Sequence, residues 1–339
     1  MTLAAPPLFS MIVPVLNGAE TLGQCLASIR SSSFSDWELI VVDDGSSDNS
    51  VEIATTAGVK VLRTAGRCGP GAARNQGAAE ARGDWLFFID ADCSPAIDAL
   101  ARAAEILRRK PTIDALFGSY DDAPSARGLV ARYKNLQHHH VHQTGNRDAT
   151  TFWAGCGVIR RSVFQKLGGF DTRRYSRPCI EDIELGYRLT AAGGRIRLAG
   201  EVQVKHHKAW TLVGVVRSDL FDRGIPWTLL LLEQGRADGD LNLDWQGRSG
   251  VVLAILMAAG LGLAPFWPRT LMLTTGAGLV LVWLNLGFYR LLAAKGGLTL
   301  LIGGMALHWL YQLNCAIAYV TGRFLFWRRR HQEVPPGGS

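Results

Sequence analysis

Asp90-Ala91-Asp92 follows the apolar run Leu86-Phe87-Phe88-Ile89. Two carboxylates at the tip of a buried strand pack poorly in a core but suit a hard divalent cation, which binds through oxygen. Such a cation neutralises a diphosphate as charge develops on it. A D-x-D triplet is equally an ordinary solvated turn, so its weight depends on what surrounds it. Asp43-Asp44-Gly45-Ser46 ends an earlier apolar run. An Asp there can accept a hydrogen bond from a base N–H, or close an Asx-type turn with Ser46 as a helix cap. Gly69-Pro70-Gly71-Ala72-Ala73-Arg74-Asn75 is a Gly-rich entry to a helix. Helix N-termini favour phosphate, and Arg74 would add charge-assisted contacts; the plainer reading is a loop–helix junction. Glu181-Asp182 opens a helix after Arg177-Pro178. A carboxylate there can serve as a general base or complement the helix dipole. His206 ends a strand. Its imidazole can complete a cation's shell with Asp92 or stay a buried, hydrogen-bonded side chain. His138-His139-His140 and His142 resemble a metal cluster, but on a helix only His138 and His142 share a face. They read as an acceptor-side or surface feature, not a zinc site.

These residues need elements to hold them. Phe9 to Val15 is a short apolar run stopped by Asn17-Gly18, hence a strand and a turn. Leu22, Cys25, Leu26 and Ile29 recur at helical spacing. Glu38 to Val42 reads as a strand, and Ser47 and Asp48 offer caps for a helix through Ala57. Val59 to Leu62, Trp85 to Ile89 and Ala115 to Ser119 read as strands. Ala72 to Ala81 reads as a helix, and Ile97, Leu100, Ala104 and Leu107 mark another. Strands alternating with helices imply an α/β domain with a mostly parallel sheet. In such sheets ligands sit beyond the carboxyl ends of the strands, where Asp43-Asp44 and Asp90-Asp92 both fall. Thr150 to Arg161 is apolar, Gly-rich and less regular; Glu181 to Ala192 reads as a helix and Arg195 to Val204 as a strand.

The composition shifts sharply near residue 245. Between Gly250 and Thr321 the formal charges are Arg269, Arg290 and Lys295. Three apolar runs in this region, Gly250 to Trp267, Leu271 to Tyr289 and Leu298 to Val320, approach the roughly 20 residues a helix needs to cross a bilayer. Trp210 to Leu232 is interrupted by Arg217, Asp219, Asp222 and Arg223, too charged to span and suited to lie at a membrane surface. The expected organisation is a catalytic domain over 1–208, an interfacial segment over 209–245, a transmembrane region over 246–327 and a basic tail over 328–339. Three crossings would put Arg323 and Arg328 to Arg330 outside, against the positive-inside rule. His308, Gln312 and Asn314 in the third run suit packing inside a bundle or re-entry. The net charge of +7 fits Lys and Arg beside anionic lipid. No basic stripe interleaved with aromatics appears in the first half, which argues against nucleic-acid binding. Six cysteines without C-x-x-C spacing read as reduced cytosolic thiols. Met1 to Ser10 lacks the regions of a signal peptide, so the catalytic half is expected on the cytoplasmic face.

Several of these motifs match one family in order. Met11-Ile12-Val13-Pro14-Val15-Leu16-Asn17, Glu38 to Ser46, Gly71 to Asn75, Asp90 to Asp92, Gly168 to Asp171 and Glu181-Asp182 together resemble family 2 glycosyltransferases of the GT-A fold, over roughly residues 9 to 207. The resemblance implies a nucleotide-sugar donor and a divalent cation, Mg²⁺ or Mn²⁺. It implies that Asp44 contacts a uracil-like base, that Asp90 lies near ribose and metal, and that Asp92 binds the metal. Pro14, Asn17, Asp43 and Arg74 would complete the donor side, Asp182 would be the catalytic base, and His206 a further metal ligand. Leu16 departs from the pattern, since many relatives carry Tyr there, stacked on the base. The QxxRW motif of processive synthases does not occur near Arg195 to Trp210, which points to transfer of one sugar. The expected activity is inverting transfer from a nucleotide-diphosphate sugar to a lipid or lipid-linked acceptor at the membrane, or to polyprenyl phosphate to make a lipid-linked donor. Two other classes fit the residues less well. A nucleotidyltransferase would show an N-terminal GxGxR-type loop, where this chain has Asn17-Gly18. A non-catalytic membrane scaffold would not need Asp44, Asp90, Asp92 and Asp182 intact.

Overall fold

The computed structural model describes residues 5–235 and 244–332. The first four residues, positions 236–243 of the expected interfacial segment and positions 333–339 of the basic tail lie outside the described residues. The chain divides into two compact units, one of Met1–Ala126 and Val141–Lys208, the other of Arg127–His140 and Ala209–Ser339.

The elements follow in chain order: β1 (Phe9–Val15), α1 (Ala19–Arg30), β2 (Trp37–Asp43), α2 (Ser50–Thr56), β3 (Lys60–Arg63), α3 (Pro70–Ala79), β4 (Trp85–Ile89), β5 (Cys93–Pro95), α4 (Ala99–Arg109) and β6 (Ala115–Tyr120). Then come α5 (Leu129–Thr144), β7 (Asp148–Ala149), β8 (Cys156–Arg160), α6 (Arg161–Lys166), α7 (Glu181–Ala191) and β9 (Ile196–His206). The strands form one mixed sheet in the order β3-β2-β1-β4-β8-β6-β9-β5, with β7 beside β9. β3, β2, β1 and β4 run parallel, as their alternation with helices predicts. Beyond β4 the pattern changes. β8 enters antiparallel between β4 and β6, and β9 is parallel to β6. β8 lies in the stretch Thr150 to Arg161, whose continuous apolar run has no period to announce a strand.

β1, β2 and β4 are buried almost throughout, which is why they read as unbroken apolar runs rather than alternating ones. Phe9 and Phe87 meet edge to face at 5.5 Å in the core beneath α1 and α4. On α4 the buried residues are Ala99, Leu100, Ala103 and Leu107. Ile97, read as part of that helix, precedes it and is exposed. Asn49 takes the N-cap position of α2, where Ser47 and Asp48 were expected. Asp48 instead accepts from the Ala19 and Ser50 amides, tying α1 to α2.

β4 pairs with β1 only as far as Ile12, while β2 continues to Val15. The strand ends therefore part beside Pro14. Asn17 adopts a left-handed φ of 52° there, a conformation Asn tolerates better than most residues.

The second unit contains α8 (Leu212–Arg217), a π-helical turn (Ser218–Gly224), α9 (Ile225–Gln234), α10 (Trp245–Leu263), α11 (Thr270–Leu284) and α12 (Leu286–Gln332). The amphipathic stretch after Trp210 is thus three consecutive helical pieces. α12 is broken at Gly296 and Gly297, the latter at φ 61°. α10 and α12 are long and apolar enough to cross a membrane, while α11 has 15 residues. His308, Gln312 and Asn314 are buried within this unit. The Tyr289 hydroxyl meets His308 Nδ1 at 2.9 Å, and Gln312 Nε2 meets His308 Nε2 at 3.1 Å.

α7 approaches the backbone at Thr151 and Phe152 because Gly186 has no side chain; an added Cβ would lie 2.7 Å from the Thr151 carbonyl carbon. Backbone on both sides leaves no flexible group to yield. Gly186→Ala is expected to cost about 1–3 kcal/mol. That corresponds to several degrees of melting temperature at about 2–4 °C per kcal/mol, readable by differential scanning fluorimetry; an unchanged melting temperature would show that α7 can move freely.

Candidate active site

The turn after β4 carries the paired carboxylates. The Asp90 amide donates to the Gly155 carbonyl at 3.3 Å and the Cys93 amide to the Asp90 carbonyl at 2.9 Å. The chain then re-enters the sheet as β5, antiparallel to the end of β9, with Cys93 opposite His206. The His207 amide donates to the Asp92 carbonyl at 2.8 Å, and Ser94 Oγ meets His207 Nε2 at 2.8 Å. This short ladder brings His206 Nε2 to 3.6 Å from Asp92 Oδ2. The His206 ring is buried and stacks on Tyr120, centroids 4.3 Å apart and planes 13° from parallel. Trp153 packs edge-on against Tyr120 at 4.8 Å. Burial acts to raise the Asp92 pKa; His206, followed by Lys208 and Cys93, outweighs it and holds the carboxyl below its ordinary value.

Among the described residues, no three His, Cys, Asp or Glu side chains converge on a common metal position. Asp92 and His206 are an oxygen and a nitrogen that could act as donors side by side, and a cation held there would need its further ligands from water or substrate. That fits a hard divalent cation shared with phosphate oxygens. The four clustered histidines disperse. His138 Nε2 contacts Arg223 at 3.4 Å, the His140 ring packs on Phe288, and the His142 ring on Phe117 and Trp153.

Arg74, the residue expected beside the phosphates, is held by carboxylates of the chain itself. It is 5% exposed on α3, and its guanidinium donates to Asp90 Oδ1 at 2.6 Å and to Glu181 Oε1 at 3.1 Å. Its other face lies 5.6 Å from the centre of the Phe170 ring. Burial opposes the charge, but Asp90, then Glu181 and Asp182, outweigh it and raise the Arg74 pKa. Glu181 Oε2 also accepts from the Cys179 amide at 2.9 Å. Asp182 Oδ2 accepts from the Ala154 amide at 3.0 Å and its Oδ1 from the Ile183 amide at 2.9 Å. Arg74 thus joins the end of β4 to the start of α7, and so brings the Asp90 end of the site to the Asp182 end. Glu181 had only the signature of an acid in a first helical turn, and its partner lies 107 positions earlier. Tyr120 and Trp153 carried no signal beyond being aromatic.

At the neighbouring strand end, Asp43 Oδ1 accepts from the Ser46 amide, three residues on, at 3.1 Å. Asp44 is buried. It accepts from Thr64 Oγ1 at 2.9 Å, the Cys68 amide at 2.9 Å and the Gly69 amide at 2.8 Å. The Asn17 side-chain oxygen accepts from the Ser47 amide at 2.8 Å, joining the ends of β1 and β2. Leu16 stands exposed beside them. Cys25, Cys93 and Cys156 are free and fully buried. Burial raises all three thiols, Cys156 to about 12.

Removing the guanidinium leaves the buried Glu181 and the partly exposed Asp90 without their shared counter-ion. Arg74→Met is expected to lose about 3–5 kcal/mol of stability, the range for breaking a buried ion pair, in urea denaturation. Glu181→Gln, which leaves the Asp90 pair in place, should lose less; equal losses would argue against this ordering.

Residues 10–168 match the family described as Glycosyl transferase family 2. A pre-mycofactocin glycosyltransferase of Mycobacterium tuberculosis is 29% identical over 220 residues, covering 58% of this chain and 42% of its own. An uncharacterized glycosyltransferase of Haemophilus influenzae is 41% identical over 101 residues, covering 28% of this chain and 40% of its own. The chain thus spans about two fifths of the length of these curated relatives. Among solved structures, the mannosyltransferase PcManGT of Pyrobaculum calidifontis, in complex with GDP-Man and Mn²⁺, superposes with a TM-score of 0.54 at 19% identity, over 94% of this chain and 88% of that one. TarS 1–349 of S. aureus with UDP-GlcNAc gives 0.53 at 18% identity, over 97% and 93%.

Proposed function

We propose that this chain, whose residues 10–168 match the glycosyl transferase family 2 model and whose fold is of the GT-A type, moves one sugar from a nucleotide-diphosphate sugar to a lipid or lipid-linked acceptor, with inversion at the anomeric carbon. The observation that carries the reading is the junction at Arg74. It holds Asp90, two residues before Asp92, together with Glu181, the neighbour of Asp182. In this reading the carboxylates serving the donor and its cation stand near the one that takes the acceptor's proton.

In this reading Asp44 accepts from the base N–H. Its three internal donors hold it rigid, so the base meets a preorganised acceptor. Pro14, Asn17 and Asp43 shape the same strand-end crevice, and Asp90 serves the ribose. A divalent cation held by Asp92 and His206 would offset the charge that develops on the departing diphosphate. Asp182, with its carboxylate fixed by the Ala154 and Ile183 amides, accepts the proton of the acceptor hydroxyl. The acceptor oxygen forms a bond to the anomeric carbon, the bond from that carbon to the diphosphate breaks, and its electron pair leaves with the nucleotide diphosphate. Where the acceptor is a phosphate, already anionic, Asp182 orients it instead. Attachment to a helical unit with two helices able to cross a membrane favours a lipid-borne acceptor.

Nucleotide release from UDP- and GDP-sugars, with membrane lipid extract as acceptor, tests the reading. Asp182→Asn should lower turnover by about 10²–10⁴-fold, the usual span for a general base, with little change in donor KM. Unchanged turnover would remove Asp182 from the mechanism. Asp92→Ala should abolish the response to Mn²⁺ and Mg²⁺, and full activity at saturating metal would sink the metal role.

A further inference from the structure

α10 and α12 are both long and apolar enough to cross a bilayer, but their neighbours differ. From Leu298 to Gln332, α12 is roughly 50 Å long at 1.5 Å per residue, against about 30 Å of hydrocarbon. Charged elements flank it from end to end. At its start, Arg132 of α5 donates to the Lys295 carbonyl, and Gly304 abuts Tyr133. At its middle, Lys134 Nζ stands 5.4 Å from the centre of the Tyr311 ring and pairs with Asp219 of the π-helical turn at 2.7 Å. Both ions are buried. Further along, Ala318 meets Gly224 and Gly322 meets Thr228 of α9. At its end, Arg329 pairs with Glu233 at 3.4 Å. An α12 that crossed the membrane would carry α5 and the π-helical turn into the hydrocarbon with Lys134, Asp219 and Arg223 aboard, a costly placement for charge.

α10 and α11 lack such a flank. Gln246 Nε2 donates to the Leu284 carbonyl, so the start of α10 meets the end of α11 in an antiparallel hairpin. Thr270 Oγ1 donates to the Gly260 carbonyl at 2.9 Å near the tip. Leu261, Phe266, Met272 and Leu273 are exposed on its outside. Trp245 and Trp267, both exposed, bracket α10 roughly 33 Å apart along the chain at helical rise. That matches the hydrocarbon thickness, with an aromatic residue at each interface. α12 meets this hairpin near its Trp245 end, where Gln312 abuts Gly250 and Trp309 Nε1 donates to the Ala254 carbonyl at 3.2 Å.

We infer that the α10–α11 hairpin is the part of the described chain that crosses the lipid bilayer, and that α12 lies along the interface at the Trp245 end. The basic end of α12 then shares a face with α8 and α9, which at 6 and 10 residues are too short to cross. Arg248, Arg290, Lys295, Arg323 and Arg328 collect on that face, beside anionic headgroups, and Arg269 is left at the far tip. The inference deepens the membrane attachment proposed above and does not depend on the transfer reaction, which is read by nucleotide release.

Single cysteines at Arg269→Cys, His331→Cys and, as a marker of the catalytic unit, Glu52→Cys would be placed in the full chain. They are labelled with a membrane-impermeant maleimide in right-side-out and inverted vesicles, and the labelled peptides are identified by mass spectrometry. Labelling in detergent confirms that each position reacts. The expected result is that positions 52 and 331 label in one orientation and 269 in the other. Position 331 labelling with 269 would show that α12 crosses and overturn the inference. So would a tip that labels from neither side, or on the same side as 52, or a chain recovered without detergent as a soluble oligomer with its hairpins covered by second copies.

Discussion

A buried guanidinium needs its counter-ions close, because the loss of hydration is tolerable only when charge and hydrogen bonds replace it. Arg74 meets that demand with Asp90 from the end of β4 and Glu181 from the start of α7. Neither carboxylate can drift without depriving the buried Arg74 of part of its compensation. The consequence is geometric. Two consecutive elements, α3 and β4, and the distant α7 converge at one point, and Asp92 and Asp182, within two residues of the anchors, inherit restricted positions. Such ionic clusters add little net stability compared with apolar packing; what this one supplies is a single allowed arrangement.

Asp92 depends on a second constraint, the three-residue strand β5. Its pairing with the end of β9 sets Asp92 beside His206 and anchors the turn through the His207 amide. Stacking on Tyr120, itself braced by Trp153, holds the imidazole plane. The donor side is built differently. Asp44 is fixed by backbone amides of the loop leading into α3, so the same loop that delivers Arg74 to the centre also sets the base-side acceptor.

In the helical unit, composition and environment give different answers. Leu298 to Val320 has the apolar content of a membrane span, but His308, Gln312 and Asn314 face inward and Tyr311 faces a buried ion pair. Hydropathy sums over a window and ignores which side each residue faces, so a helix with one apolar face and one buried polar face passes the same test.

The sequence by itself determined the parallel half of the sheet. Buried parallel strands are continuous apolar runs closed by Gly, Asp and Asn, as at Phe9–Val15 and Trp85–Ile89. It also determined the candidate chemistry, because Asp44, Asp90, Asp92 and Asp182 stand in local motifs at strand or helix ends. Partnerships were beyond it. The pairing of Arg74 with Glu181, the convergence of Asp92 and His206, the antiparallel entry of β8 and the charged neighbours of α12 all join residues scores of positions apart. Local periodicity records only what a residue's near neighbours require, whereas counter-ions, strand partners and the depth of a helix are settled by which distant surfaces close around it. Tertiary structure therefore decided that Arg74 is a buried junction between Asp90 and Glu181.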